Sequence, residues 1–188
     1  GNIGIVYLDK GDYDTGLDYL ERSLKIAEEL GDKYGMGFCL SNIGIIHHNK
    51  GDLDTGLDYL ERSLAIFEEL GNKRGMGFCL SDIGSVYQDK GDYDKAEEYL
   101  EKSLAIQKEI GLGADDLIWS TASLYLTYKH LGKECDVKDI HSLIKEAEKV
   151  EFEINLRLYK LLEDTSYLEI AYNQVQEKAS VMGKEVAK

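Results

Sequence analysis

An all-α chain of stacked antiparallel helix pairs is the fold class this sequence predicts, on three observations. The block Gly51–Leu70, GDLDTGLDYLERSLAIFEEL, recurs at a spacing of 40 residues as Gly11–Leu30, with 17 of 20 residues identical, and as Gly91–Ile110, with 11 of 20 identical. Within each unit apolar residues recur twice at helical spacing, separated by a Gly-Asp joint. The chain has no proline, so glycine does all the punctuation. Self-similarity at such a period marks an array in which each unit buries its apolar face only against its neighbours.

The elements follow in order. Gly1-Asn2-Ile3-Gly4 aligns with Ser41-Asn42-Ile43-Gly44, so the chain reads as entering midway through a first helix A, like a piece of a longer array. An apolar half-helix of about ten residues is too short to be stable alone. It is expected to be frayed, or to pack through this open N-terminal end against another copy of the chain. In the second unit helix A runs from about Tyr34 to Asn49 and helix B from about Leu53 to Leu70, with Leu57, Leu60, Leu64 and Ile66 as the buried stripe. The joint Lys50-Gly51-Asp52 combines a glycine able to take positive φ with a carboxylate able to cap the next helix. Asp54 falls in the first turn, where the helix dipole favours an acid. Gly31, Gly71 and Gly111 each follow the last apolar residue of a helix B.

Beyond Ile110 a shift of 41 sets Trp119 on Phe78, Leu124 on Ile83, Tyr128 on Tyr87 and Gly132 on Gly91. Residues 114–131 therefore read as a fourth helix A, and Val137, Ile140, Ile144 and Ala147 as the stripe of its helix B. Two further helices are predicted, from about Glu151 to Leu162 and from about Ser166 to Met182, with Asp164-Thr165-Ser166 offering caps between them. The whole reads as one domain over 1–188: a truncated repeat 1–30, repeats 31–70 and 71–110, a degenerate repeat 111–150, and a capping helix pair 151–188.

A glycine inside a helix costs about 1 kcal/mol relative to alanine, yet Gly4, Gly44 and Gly84 all fall in the middle of helix A. Opposite them stand Gly16, Gly56 and Ala96, then Ser23, Ser63 and Ser103, at spacings of seven on one face of helix B. Small against small predicts that the two backbones touch, with Tyr7, His47 and Tyr87 filling the wedge beside them. Tyr125 replaces the glycine in the fourth unit and is expected to push its partner helix away.

Leu40, Ile43, Gly44 and His47, followed by Gly56 and Leu60, and one unit later Leu80, Ile83, Gly84 and Tyr87, followed by Ala96 and Leu100, resemble the pattern of the tetratricopeptide repeat. The final proline is missing and the period is 40 instead of 34, which is similar to the longer-helix class in Pins-like adaptors and bacterial regulatory proteins. The resemblance covers residues 1–110 closely and 111–188 loosely. It implies a right-handed α-α superhelix whose concave groove, lined by the A helices, holds a partner. The groove positions it assigns are Phe38, Ser41, Ile45, His48 and Asn49, then Phe78, Ser81, Ser85, Gln88 and Asp89, and in the fourth unit Trp119, Ala122, Leu126, Lys129 and His130. Phe38, Phe78 and Trp119 would form an aromatic rail, either as anchors or wedged between adjacent repeats. Family members that dock chaperones clamp a C-terminal carboxylate with lysines and asparagines. The first three units place no Lys or Arg at those positions, so a neutral or basic segment with apolar anchors is the expected partner.

Charge and chemistry narrow the rest. Against 22 basic residues stand 36 acidic ones, a net charge of −14, which argues against a nucleic-acid surface. Residues 1–110 carry 12 basic and 22 acidic side chains, net −10. No run of 18 apolar residues exists to span a membrane. Cys39 and Cys79 sit one repeat apart, too far for a disulfide, and reduced, buried thiols fit a cytoplasmic protein. His47 and His48 are adjacent and diverge by about 100° on a helix, and His130 and His141 have no ligand at i+4, so no metal or cofactor site is expected. Gly35-Met36-Gly37 lacks the strand and lysine of a phosphate loop, and Asp12-x-Asp14 lacks the downstream calcium ligands. The leading reading is a non-catalytic protein-interaction module. The alternatives are a sensory or regulatory domain that controls a fused or bound effector on peptide binding, and a self-assembling structural array.

Overall fold

The computed structural model describes residue 4 and residues 11–147 and 150–186. The chain divides into two compact units, Gly1–Ile110 and Gly111–Lys188. The first contains α1 (Tyr13–Leu30), α2 (Lys33–Asn49), α3 (Leu53–Glu69), α4 (Lys73–Asp89) and α5 (Tyr93–Glu109). The second contains α6 (Ala114–His130), α7 (Lys138–Glu146), α8 (Phe152–Leu162) and α9 (Thr165–Val186). Among the described residues there is no strand, and the helices stack as antiparallel pairs. Their bounds lie within four residues of those expected from the sequence, and within one or two through residue 165. Apart from Gly4, the expectation of a frayed or self-associating first helix falls outside the described residues.

The joints are local and repetitive. Gly11, Gly31, Gly51, Gly71, Gly91, Gly111 and Gly132 all have positive φ, between 62° and 83°, a region where a side chain would be strained. At Gly51 the chain reverses with Gly51 N–H donating to the His48 carbonyl and Asp52 N–H to that of His47, each at 2.9 Å. The following side chain caps the next helix. Asp32 Oδ1 accepts from Gly35 N–H at 2.9 Å and Asn72 Oδ1 from Gly75 N–H at 3.1 Å. Asp164 accepts from Ser166 N–H at 2.9 Å before α9.

Close helix contact explains the mid-helix glycines. A Cβ on Gly44 would lie 2.8 Å from Leu60 Cγ and 3.0 Å from the Gly56 carbonyl oxygen. At Gly84 the nearest atom would be Leu100 Cγ at 2.6 Å, and at Gly4 it would be Leu20 Cγ at 2.7 Å. The leucines beneath them are fully buried, each stabilising the fold by about 1.5–3 kcal/mol. Ser63 and Ser103 reach across the seam, donating to the carbonyls of Gly37 and Gly77 at 2.7 Å. His47 and Tyr87 fill the wedge by stacking on Tyr59 and Tyr99, ring centroids 5.6 and 5.5 Å apart. The core of the first unit is Leu20, Ile43 and Ile46, then Leu57, Leu60, Ile83 and Val86. Of the stripe expected on α3, Leu57 and Leu60 are buried while Leu64 and Ile66 are half-buried.

In the second unit Ile118 and Ala122 of α6 pack with Ile140, Ile154, Leu158 and Leu161. Tyr125 is half-buried and its hydroxyl donates to Asp139 Oδ2 at 3.1 Å.

Candidate functional site

A cavity of about 430 Å³ opens between α2 and α4. Tyr34, Phe38, Ser41 and Ile45 of α2 form one wall, and Arg74, Gly75, Phe78, Cys79 and Asp82 of α4 the other. Phe67 of α3 and the cap residue Asn72 complete it. The 40-residue repeat makes this geometry. Phe38 and Phe78 are equivalent positions one helix pair apart, both line the cavity, and both stay half-buried. The walls are largely apolar, with Arg74 and Asp82 supplying opposite charges. The Arg74 guanidinium lies 5.4 Å from the centre of the Phe78 ring, a cation–π contact.

Polar groups along the walls are held in place. Ser41 Oγ donates to the Phe38 carbonyl at 3.1 Å and Asn42 Nδ2 to the same oxygen at 2.7 Å. Cys79 Sγ lies 3.3 Å from Ser63 Oγ. Since the Ser63 hydroxyl gives its proton to Gly37, the thiol is left to donate to Ser63. Burial pushes the Cys79 thiol up to about 12. It is therefore a packed thiol at neutral pH and not a nucleophile.

The sequence-expected positions separate into groups. Phe38, Ser41, Ile45 and Phe78 line the cavity. His48 and Asp89 are bonded to each other, Nε2 to Oδ2 at 2.7 Å, tying the C-terminal ends of α2 and α4. Asn49 is exposed at the last turn of α2. Ser81, Ser85 and Gln88 are only 2, 2 and 8% exposed and lie outside the cavity walls. α4 is flanked by both α3 and α5.

In the second unit Trp119 packs against the core, with the Arg157 guanidinium 4.1 Å from its ring centre. Ala122 is fully buried and Leu126 is 8% exposed. Lys129 Nζ donates to the carbonyls of Lys160 and Leu161 at 2.9 and 3.3 Å and pairs with Glu163 at 2.7 Å. It thus holds the last carbonyls of α8, and its hydrogen bond and charge keep the Glu163 carboxyl below the ordinary range. Leu126, Lys129 and His130 also line a second cavity of about 670 Å³ with Tyr159, Lys160 and Glu163.

Sequence reasoning did not single out Phe67, Tyr34, Arg74 or Asp82 as wall residues. The signal for Phe67 was its departure from Ala27 and Gln107 at a repeated position. Among the described residues no three His, Cys, Asp or Glu side chains converge on a possible metal site, and no helix is long and apolar enough to cross a membrane.

The tetratricopeptide repeat model matches residues 1–48 and 38–109. None of the curated protein sequences matches the chain. Among solved structures, the chain is similar to BtubC (BKLC) from P. vanneervenii, with TM-score 0.63 and 21% identity over 76% of this chain and 58% of that one. A Podosopora anserina putative kinesin light chain with nearly identical TPR-like repeats gives TM-score 0.62 at 15% identity over 98% and 93%. The apo form of RapI gives 0.74 at 16% identity over 94% and 51%. The chain thus spans little more than half the length of BtubC and of RapI, and at these identities the likeness is one of fold. With three phased units, glycine-closed helix pairs and a family model spanning more than half its length, the chain belongs to the tetratricopeptide repeat family.

Proposed function

We propose that the first unit is a protein-interaction module that takes an apolar side chain of a partner segment into the cavity between α2 and α4. Tetratricopeptide repeat domains generally bind protein partners. The observation that carries this reading is a 430 Å³ interval walled by Phe38 and Phe78, two half-buried aromatics at equivalent positions of successive repeats. The segment is neutral or basic, because residues 1–110 carry 22 acidic against 12 basic side chains, net −10, and a field of that sign steers cations and repels anions. Burying one large apolar side chain contributes about 1.5–3 kcal/mol, so a single anchor orients a segment while flanking contacts complete its affinity.

The test is selection from a random peptide library displayed against the wild type and Phe78→Ala. Wild type is expected to enrich peptides with a recurring large apolar residue and few acids. Phe78→Ala should bind those peptides roughly tenfold more weakly. Enrichment of acidic peptides, or equal binding by the variant, overturns the reading.

A further inference from the structure

The runs Gly35-Met36-Gly37 and Gly75-Met76-Gly77 repeat one unit apart, and Phe67 shows what two of these glycines do. A Cβ on Gly37 would lie 2.9 Å from Phe67 Cε1, and one on Gly75 only 2.6 Å from its Cγ. The ring is thus slotted between α2 and α4, both of which lack a side chain where it passes. Tyr34 meets it edge-on, ring centroids 6.1 Å apart and planes at 62°. At 5% exposure Phe67 is the most deeply set aromatic of the cavity. Its counterparts in the neighbouring copies are Ala27 and Gln107, whereas the outer walls Phe38 and Phe78 are the same residue in both copies.

We propose that Phe67 is the specificity-determining residue of this cavity, its ring forming the inner wall whose position sets the largest apolar side chain of the partner segment that can enter. The proposal rests on the reading of the cavity as the partner's anchor site. Close packing makes the limit sharp. A ring gripped on two sides cannot swing aside without moving a helix backbone, and in an apolar pocket a mismatch of a few carbons changes affinity about tenfold or more. Repeat arrays diversify by changing single side chains on a constant frame, and position 67 differs in all three copies while the glycines around it recur.

The experiment titrates wild type, Phe67→Ala and Phe67→Leu with the N-acetyl amides of phenylalanine, 2-naphthylalanine and 9-anthrylalanine, read by the backbone NMR shifts of Phe38, Phe78 and Cys79. Wild type is expected to take the smaller rings and discriminate against the anthryl one. Phe67→Ala should shift the affinity ratio toward the anthryl probe by about tenfold, and Phe67→Leu by a smaller factor in the same direction. Leucine keeps an apolar filler in the slot, so that variant carries the test if alanine there prevents folding. Probes that move these shifts with one unchanged size preference in folded variants refute the role of Phe67 and leave the anchor site standing. No shift at Phe38, Phe78 and Cys79 with any probe removes the anchor site, and the inference with it.

Discussion

The helix pairs α4–α5 and α6–α7 hold corresponding places in the repeat and are closed by different chemistry. At Gly84 a missing side chain lets α4 settle on Leu100, and both helices run for 17 residues. At Tyr125 the same position carries a ring whose hydroxyl bonds Asp139, and its partner α7 has nine residues. The apolar face of α6 is instead shared with α8, through Ile154, Leu158 and Leu161. Trp119 and Lys129 are likewise engaged by Arg157 and by the C-terminal carbonyls of α8. Where backbone contact is given up, α6 recruits α8 to cover it, and Trp119, at the position of the cavity-lining Phe78, becomes a support for that helix.

The largest effect should come from filling the glycine contact. Gly84→Leu is expected to cost about 1–3 kcal/mol or more by overpacking, read from the denaturant midpoint. Tyr125→Phe, which removes only a hydroxyl bonded to an exposed carboxylate, should cost no more than about 1 kcal/mol. Equal losses at the two sites would erase the distinction between the pairs.

Next in size is a pH effect confined to the buried thiol. Cys79 is raised from 9.0 to about 12 in the folded state, so its thiolate favours unfolding. Its stabilising contribution is whole below pH 9 and is lost as the pH climbs toward 12. At pH 10 wild type should fall by about 1 kcal/mol relative to Cys79→Ala, each compared with its own value at pH 7. Parallel curves for the two proteins would show that solvent reaches this thiol.

Smaller still, Ser63→Ala should cost about 0.5–1 kcal/mol, because the Gly37 carbonyl keeps its helical partner when the hydroxyl is lost. A denaturant midpoint unchanged by Ser63→Ala would mean that the cross-seam bond adds nothing. The faintest signal belongs to Lys73→Met, which removes an exposed pair with Glu109. It should cost less than about 1 kcal/mol, and less again in high salt.

What could be read from the sequence divides along the same lines. Turn positions were legible to the residue, because positive φ is a property of the glycine itself. The contact faces of Gly44 and Gly84 were legible because a helix does not carry a central glycine without reason. Ser81, Ser85 and Gln88 shared a helix face with Phe78 on paper, but which part of that face is covered depends on the tilt of α3 and α5 against α4, which no single-helix periodicity encodes. The bond between His48 and Asp89, and the hold of Lys129 on α8, join residues 41 and about 32 positions apart. Such partners emerge only once consecutive helices are docked. Phe67 was hidden for the opposite reason, since within α3 it looks like one more apolar residue and its slot is cut into two other helices.

The paired ends of the first unit's helices have an evolutionary consequence. Each hairpin is tied at its loop by a glycine joint and at its far end by a lysine and a carboxylate 36 residues apart: Lys50 with Asp14, Lys33 with Glu69, Lys90 with Asp54 and Lys73 with Glu109. None of these clamps refers to absolute position in the chain, only to the neighbouring helix. Recombination between the near-identical stretches 11–30 and 51–70 would therefore add or remove a 40-residue module with every lysine again facing an acid. Copy number can then change by one whole module in a single genetic step.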